Sequence, residues 1–228
     1  MKNIRGSLIL SIGFVLSSII FSGAFVYVRS LGAQCISVKG LAEREVDATI
    51  GIWDIRFETA GEDLNQVNVQ IKQQTDTVVS FLREQGFIDQ HIVYGIPQLK
   101  DNAQYNTQQD KKLRYIEEMQ LTVHTSDVSL LWAAVQKSQE LLKKGVQLKM
   151  HWRDPVKFEF TELNKIKVAM LQEATINART AAEQLAADAH IQLGSLRTAT
   201  QGTFSISDTH IPTKKHVRIV TYVNYAIK

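Results

Sequence analysis

The histidines are the first residues to test for chemistry, because an imidazole ring can bind a metal ion or transfer a proton near neutral pH. The chain has six of them, namely His91, His124, His151, His190, His210 and His216. No two have the spacing that places paired zinc ligands on one face of a helix. His124 and His151 fall on the polar side of the strands predicted around them. We therefore predict surface histidines and no metal site.

The common catalytic motifs are also missing. No Gly-x-Ser-x-Gly motif offers a nucleophile on a sharp turn, and the 12 glycines form no phosphate-binding loop. Glu117 and Glu118 are neighbours on a predicted strand, so their side chains point to opposite faces and cannot act as an acid/base pair. We predict no catalytic or cofactor-binding residue and no enzymatic activity. An enzyme that joins a nucleophile and a base from distant segments is the third alternative.

The charge of the chain is nearly balanced, with 26 basic and 23 acidic residues and a net charge of +3. Because no basic stripe is present, nucleic acid is not predicted as a partner. The most basic cluster comprises Lys214, Lys215, His216 and Arg218. It could contact anionic headgroups, but it begins a predicted strand, where such charge is usually solvated. We interpret the cluster as solvated charge.

The N-terminal segment from Gly6 to Val28 carries no charged residue. About 23 residues at about 1.5 Å each extend roughly 34 Å, enough to cross the hydrocarbon core of a bilayer. Lys2 and Arg5 precede this segment, which favours a cytoplasmic N-terminus. We predict a cytoplasmic tail at 1–5, a transmembrane signal anchor at 6–28, a linker at 29–35 and an extracytoplasmic domain at 36–228. The protein would then lie in the inner membrane, with its body periplasmic or extracellular.

A cleaved signal peptide is the competing interpretation of this segment. The apolar run is longer than a typical signal core, and the nearest small-x-small site, at 32–35, lies beyond Arg29. We therefore favour an uncleaved anchor. The single cysteine, Cys35, cannot form an intramolecular disulfide, and Gln34 is not the small residue that precedes a lipid-modified cysteine. We predict a thiol without a role, with an intermolecular bridge as the alternative.

The first half of the body shows strand and helix patterns in turn. Apolar residues alternate from Val46 to Phe57 with a change of side near Ile52, which predicts one strand with a bulge. A helical pattern runs from Leu64 to Leu82 and stops at Gly86. Further on, residues 91–96 predict a strand, 100–112 a hairpin loop and 115–123 a third strand.

The second half begins with a helix over 128–142, with Ser126 or Asp127 as its cap, Leu142 on its apolar side and Gly145 at its end. Strands at 146–152 and 156–160, an alanine-rich helix at 162–190, and strands at 195–207 and 215–225 follow. The order βαββαβ predicts an α/β (α+β) fold: a ferredoxin-like layer extended by a long helix and a C-terminal β-hairpin, plus one N-terminal transmembrane helix.

Several segments of the body together resemble one known family. They are ISVKGLAEREVDATIGIW at 36–53, LREQGF at 82–87, RYIEEMQLTV at 114–123, FEFTELNKIKVAMLQEATINARTAAEQLA at 158–186 and QGTFSISD at 201–208. In this order and spacing they resemble the SIMPL domain family, also filed as domain of unknown function 541, in its anchored bacterial form. Where much of that family has Pro-Asp before a long strand, this chain has Val46 and Asp47. The resemblance implies an envelope location, a mixed α/β fold and, in some members, ring-like or channel-like oligomers, but no catalytic residue.

The leading functional hypothesis is a non-catalytic, self-associating envelope protein that serves as a scaffold or in stress protection. Homo-oligomers could form where strand edges are left unpaired. The alternative is a periplasmic module that binds a small ligand or peptide in a pocket between the long third helix and the terminal hairpin. The tryptophans favour the first hypothesis, because Trp53, Trp132 and Trp152 are interpreted as core or interface residues rather than ligand-stacking residues.

Overall fold

A computed structural model of the chain describes residue 13 and residues 16–25, 35–102, 114–149 and 155–228. Residues 16–25 are helical. No helix within the described residues is both long enough and apolar enough to cross a membrane. The predicted tail at 1–5, most of the linker at 29–35 and a large part of the predicted anchor at 6–28 lie outside the described residues.

The body forms two compact units. The central unit contains Arg44–Ile166 and Ile206–Val217, and the terminal unit contains the described residues of Met1–Glu43, Lys167–Ser205 and Arg218–Lys228. The strands are β1 (Cys35–Asp47), β2 (Ile50–Gly61), β3 (Ile92–Tyr94), β4 (Gln98–Asp101), β5 (Tyr115–Thr125), β6 (Val156–Glu159), β7 (Leu193–Gln201), β8 (Ser205–Asp208) and β9 (Lys214–Ile227). The helices after residue 35 are α1 (Leu64–Glu84), α2 (Val128–Gln136), α3 (Gln139–Lys143) and α4 (Leu163–Asp188), with a short 3-10 turn at Asp89–His91.

The central unit is built on a five-stranded antiparallel sheet with the order β3-β5-β2-β6, in which β4 also pairs with β5. Its element order agrees with the predicted βαββαβ succession, except that α2 and α3 stand for one helix and β4 is added. Alternate residues of β2, such as Trp53, Ile55 and Phe57, are buried in one core with apolar residues of α1, α2 and α3. The mixed α/β class is therefore confirmed, with two antiparallel sheets rather than one extended layer.

Helix α1 follows its prediction closely. Asp63 caps it by accepting a hydrogen bond from the Gln66 backbone N–H at 3.0 Å. Gly86 has φ +100°, the left-handed conformation that ends a helix. The third predicted strand is likewise confirmed as β5.

The predicted bulged strand over 46–57 is wrong, because β1 and β2 are separate strands in two different sheets. The break falls at Ala48 and Thr49. The Ala48 N–H donates to Thr213 O and the Thr49 N–H donates to Glu159 O, both at 2.8 Å. Two consecutive residues thus bond to different partners, which divides the segment into two strands. Ile50 and Ile52 belong to β2, where they are partly buried and alternate with the buried Gly51 and Trp53.

The predicted loop at 100–112 also needs correction at its start. Lys100 and Asp101 belong to β4, where they pair with Ile116 and Tyr115. Residues 103–113 lie outside the described residues. Of the strand predicted at 146–152, an isolated bridge between Leu148 and Phe57 is present, and residues 150–154 are again outside the described part.

The helix predicted over 128–142 is two helices. Asp127 caps α2 by accepting from the Leu130 N–H at 2.9 Å, as expected. The N–H groups of Lys137 and Ser138 then bond three residues back instead of four, which ends α2. The resulting rotation buries Leu141 completely and leaves Leu142 63% exposed. The prediction that Leu142 faces the core is therefore wrong.

In the terminal unit, α4 buries one residue in four along a single line. These residues are Met170, Ala174, Ala178, Ala182 and Ala186. Small side chains let the helix backbone approach the Gly40 backbone of β1 so closely that a Cβ atom on Gly40 would lie 1.8 Å from Ala174 O. Three of these alanines form a small core with Ile36, Val223 and Tyr225.

The second sheet has the order β1-β9-β7, and β8 also pairs with β9. The strand predicted over 195–207 is thus two strands, β7 and β8. Gly202 lies in the gap, where its N–H donates to Val220 O at 2.9 Å. A Cβ atom there would lie 2.3 Å from the same oxygen, so the close approach to β9 at this position requires a glycine.

Candidate functional site

A cleft of about 800 Å³ in the central unit is the candidate ligand site. One wall is the edge strand β6 with Pro155, and Trp132 of α2 lies beside it. The opposite wall is the turn between β8 and β9, including Thr209 and Pro212. Small-molecule and peptide pockets in proteins have similar volumes and a similar mixture of apolar and polar groups. The cleft therefore has the size of a binding site.

Aromatic residues form the apolar part of this cleft. Trp132 packs edge-to-face on Phe158, with 5.9 Å between ring centroids and 72° between ring planes. An adjoining space of about 310 Å³ is lined by Phe158, Phe160 and Ile206. Trp53 is buried in the core as predicted. Trp132 is partly buried against the same core and also lines the cleft. Trp152 falls outside the described residues.

Lys215 is a largely buried charged residue of the cleft, whose lining also includes Lys157, Glu159 and Asp208. It occupies the buried side of β9, in line with Val217 and Ile219, and only 10% of its side chain is exposed. Its ammonium group donates a hydrogen bond to Asp208, whose side chain is 83% exposed. A cation is thus held against apolar walls, with its carboxylate partner at the rim. The interpretation of this residue as solvated charge is wrong.

The neighbours of Lys215 in the basic cluster have ordinary roles. Lys214 donates to Glu45 at 2.6 Å, and Arg218 lies 3.3 Å from a Glu43 oxygen. The hydrogen bond from Lys214 lowers the pKa of Glu45, and the same bond raises the pKa of Lys214. These are exposed ion pairs, which contribute little to stability. Only Lys215 is placed where a ligand would meet it.

The open face of the five-stranded sheet carries a second charged group. Glu58 on β2 and Glu118 on β5 are directly opposite each other, an arrangement of like charges that destabilises a sheet. Lys149 lies between them, with its ammonium group 2.7 Å from Glu58 and 2.8 Å from Glu118. The hydrogen bond from Lys149 lowers the pKa of Glu118, and the hydrogen bonds to Glu118 and Glu58 raise the pKa of Lys149.

We expect Lys149→Met to lower the free energy of unfolding by about 1 kcal/mol at neutral pH, because two facing carboxylates lose their shared cation. The pKa of Glu118 is lowered on folding, so its contribution is present above the unfolded pKa and is lost as pH falls through the folded pKa. The contribution of Lys149, whose pKa is raised, is lost only as pH rises through its folded pKa. Urea unfolding of both chains from acid to neutral pH measures the difference.

The exposed Lys143→Met serves as the control and is expected to change stability little at any pH. A Lys149→Met effect that stayed constant as both carboxylates became protonated would mean that lost packing, and not charge, is responsible.

The remaining candidate residues do not assemble into a site. Glu117 is buried under the helices whereas Glu118 is on the open face, so their predicted separation is confirmed. His124 is exposed, as predicted. In the part of the chain that the structure describes, no three His, Cys, Asp or Glu residues are arranged to hold a metal ion. His151 lies outside that part, and Cys35 is a free, exposed thiol.

An apolar surface lies along the edge of the same sheet at β3 and β4. We call it the apolar edge; it comprises Ile88, Val93, Tyr94, Ile96 and Leu99, each about half exposed or more. Ile96 is the extreme case at 86% exposure. Several large exposed apolar residues within one short stretch of chain are typical of interaction surfaces. In contrast, the seven C-terminal residues of the edge strand β7, all exposed, are mostly polar.

Sequence reasoning missed both the cleft and the special position of Lys215. It placed a pocket between the long third helix and the terminal hairpin, whereas the described lining comes from α2, β6 and the β8–β9 turn. One signal was available: Lys215 has the same parity as Val217, Ile219 and Thr221 in an alternating strand. A lysine at the end of a buried row is unusual.

The fold and these surfaces define an α/β domain protein with two antiparallel sheets, a charged aromatic cleft and an exposed apolar edge. The family model described as SIMPL, protein of unknown function (DUF541), matches residues 36–217. The chain belongs to the SIMPL family, which confirms the family to which its segments are similar. A search of curated proteins finds no match.

Proposed function

We propose that this chain is a membrane-anchored cell-envelope protein whose non-catalytic SIMPL domain self-associates through the apolar edge. The exposure of Ile96 and its neighbours at β3 and β4 is the observation that carries the proposal. In this role the domain is a scaffold. Its exposed apolar residues bind other copies of the domain and do not turn over a substrate.

The anchor is supported by the sequence. Residues 6–28 carry no charge, and the basic residues Lys2 and Arg5 precede them. In this arrangement the N-terminus is cytoplasmic, and the body is periplasmic or extracellular. An anchor also confines copies to one plane, which raises their effective concentration and favours weak contacts between bodies.

Self-association is supported by the character of the edge. β3 and β4 are short edge strands that pair only with β5 among the described residues. Natural proteins commonly protect such edges with charge, and here the exposed side chains of Val93, Tyr94 and Leu99 are apolar. A second copy laid on this edge would remove these groups from water, which is the usual driving force of association.

We expect Ile96→Ser to weaken association at least tenfold, because burying an isoleucine side chain stabilises a contact by about 1.5–3 kcal/mol. Light scattering of the full-length chain in mild detergent, over a range of concentrations, measures the change. Val168→Ser is the matched control, since Val168 on α4 is 74% exposed and belongs to the terminal unit rather than to β3 or β4. A wild-type chain that is monomeric at micromolar concentration, or equal losses in both variants, would refute the proposal.

A second function is favoured by the cleft, in which the domain binds a small ligand or peptide. The observation in its support is Lys215, a largely buried cation that lines the same cleft as Trp132 and Phe158. Ligand binding and self-association use different surfaces of the central unit, so one can fail without the other.

A further inference from the structure

We propose that the ligand of the cleft is an extended polypeptide segment, which binds as an added strand along β6 of the five-stranded sheet. This inference rests on the second of the two proposed functions, ligand binding in the cleft, and specifies its chemistry. It is independent of self-association at the apolar edge, because β6 is at the opposite end of the strand order from β3.

The backbone of β6 has one paired edge and one open edge. The Asp54 N–H donates to Pro155 O, and β2 pairs with β6 in the antiparallel register that places Ile52 opposite Lys157. Because backbone groups alternate in an antiparallel pair, Pro155, Lys157 and Glu159 direct theirs toward β2. Val156 and Phe158 therefore direct their N–H and C=O groups to the other edge. Among the described residues, no strand pairs with that edge.

Val156 and Phe158 both line the cleft, so the open edge of β6 borders it. Each presents one donor and one acceptor, and two residues along a strand span about 6.8 Å. The ligand that matches donors and acceptors repeated at this distance is another extended backbone. Phe158 is only 5% exposed because its side chain is part of the core of the central unit, which fixes β6 in place.

The side chains of the cleft indicate which polypeptide fits. On the side of the sheet that the helices cover, Phe158 and Trp132 offer an apolar surface to every second residue of an added strand. On the other side, Lys157 and Glu159 are exposed and suit polar residues. The expected ligand is therefore a segment of a partner protein in which large apolar and polar residues alternate, without proline among the residues that pair.

A capped peptide of about seven residues, with alternating threonine and valine and a central phenylalanine, is the probe. Two further peptides, called the twins, have the same sequence. Each twin carries backbone N-methyl groups on one of the two alternating sets of residues, which removes the N–H donors along one edge of the peptide. Binding to the full-length chain in mild detergent is measured by fluorescence of the tryptophans. We expect the plain peptide to bind, and at least one twin to bind tenfold or more weakly, because several backbone hydrogen bonds are lost.

Amide hydrogen exchange with residue resolution supplies the second measurement. On peptide addition, the amides of Val156 and Phe158 are expected to become protected, whereas those of Lys157 and Glu159, which face β2, change little. Val156→Pro removes one open donor without removing a bond to β2 and is expected to weaken binding about tenfold or more. Lys157→Ala, whose backbone groups face β2, is the matched control and is expected to bind as the wild type does.

Three results would overturn the inference. If both twins bind as tightly as the plain peptide, the cleft binds side chains but adds no strand, and the ligand-binding function itself survives. If no peptide binds at millimolar concentration, the inference of an added strand fails, whereas binding of a small ligand in the cleft is not refuted. The third result is that the amides of Val156 and Phe158 are already protected from exchange without peptide, and that this protection increases with protein concentration. A second copy of the chain would then occupy the edge instead.

Discussion

Gly40→Ala is expected to lower the free energy of unfolding by about 3 kcal/mol, because the added methyl group has no space in a close-packed contact. A Cβ atom at Gly40 would lie 1.8 Å from the Ala174 carbonyl oxygen and 2.6 Å from the Ala178 backbone nitrogen. Both are backbone atoms of α4, so relief requires that the helix move away from β1. Thermal and urea unfolding, followed by circular dichroism, measure the loss.

Two variants make this prediction specific. Leu41→Ala changes the next residue, whose side chain is on the exposed side of β1, and is expected to cost far less. The double variant Gly40→Ala with Ala178→Gly removes the contact at the Ala178 Cβ but leaves the carbonyl of Ala174 in place. We expect no rescue. Full recovery of stability in the double variant would show that side-chain crowding, and not approach of the backbones, limits residue 40.

Leu141→Ala is expected to lower the free energy of unfolding by about 3 kcal/mol, whereas Leu142→Ala should change it by less than about 0.5 kcal/mol. Leu141 is completely buried in the core of the central unit, and its truncation leaves a cavity. Leu142 is 63% exposed, so the same truncation removes little buried surface. The pair is measured side by side by urea unfolding.

Because the two leucines are adjacent and identical, each is the control of the other. One continuous helix over 128–142 predicts the opposite order of effects, with Leu142 in the core. A larger loss for Leu142→Ala would therefore contradict the break between α2 and α3, and comparable losses would mean that the two leucines are buried to the same extent.

Local signals were sufficient where one element obeys one rule along its whole length. Asp63 and Gly86 mark the two ends of α1, since a side-chain oxygen can cap a helix start and a glycine can adopt positive φ at its end. The alternation of apolar and polar residues in Tyr115–Thr125 predicts the strand β5. It also predicts that the side chains of Glu117 and Glu118 point to opposite faces of the sheet. In each case the deciding interactions lie within a few residues along the chain.

Local signals failed where distant segments decide the pairing. The change of side in the apolar pattern near Ile52 is compatible with a bulge in one strand. Only the hydrogen bonds from Ala48 to Thr213 and from Thr49 to Glu159 show that the segment is divided into two strands. The break after α2 similarly changes which leucine is buried. No pattern within a single segment records where its hydrogen-bond partners come from.

By itself, the sequence determined the family, the α/β class, the order of most elements and the absence of the common catalytic motifs, because these depend on residue types and their periodicity. Only the tertiary structure decided that Lys215 lies in a cleft with Trp132, Phe158 and Asp208, residues up to 83 positions apart (215 − 132). It also decided which edge of β6 is left open. Both follow from strand order and register, which arise when separate segments pack and hydrogen-bond together.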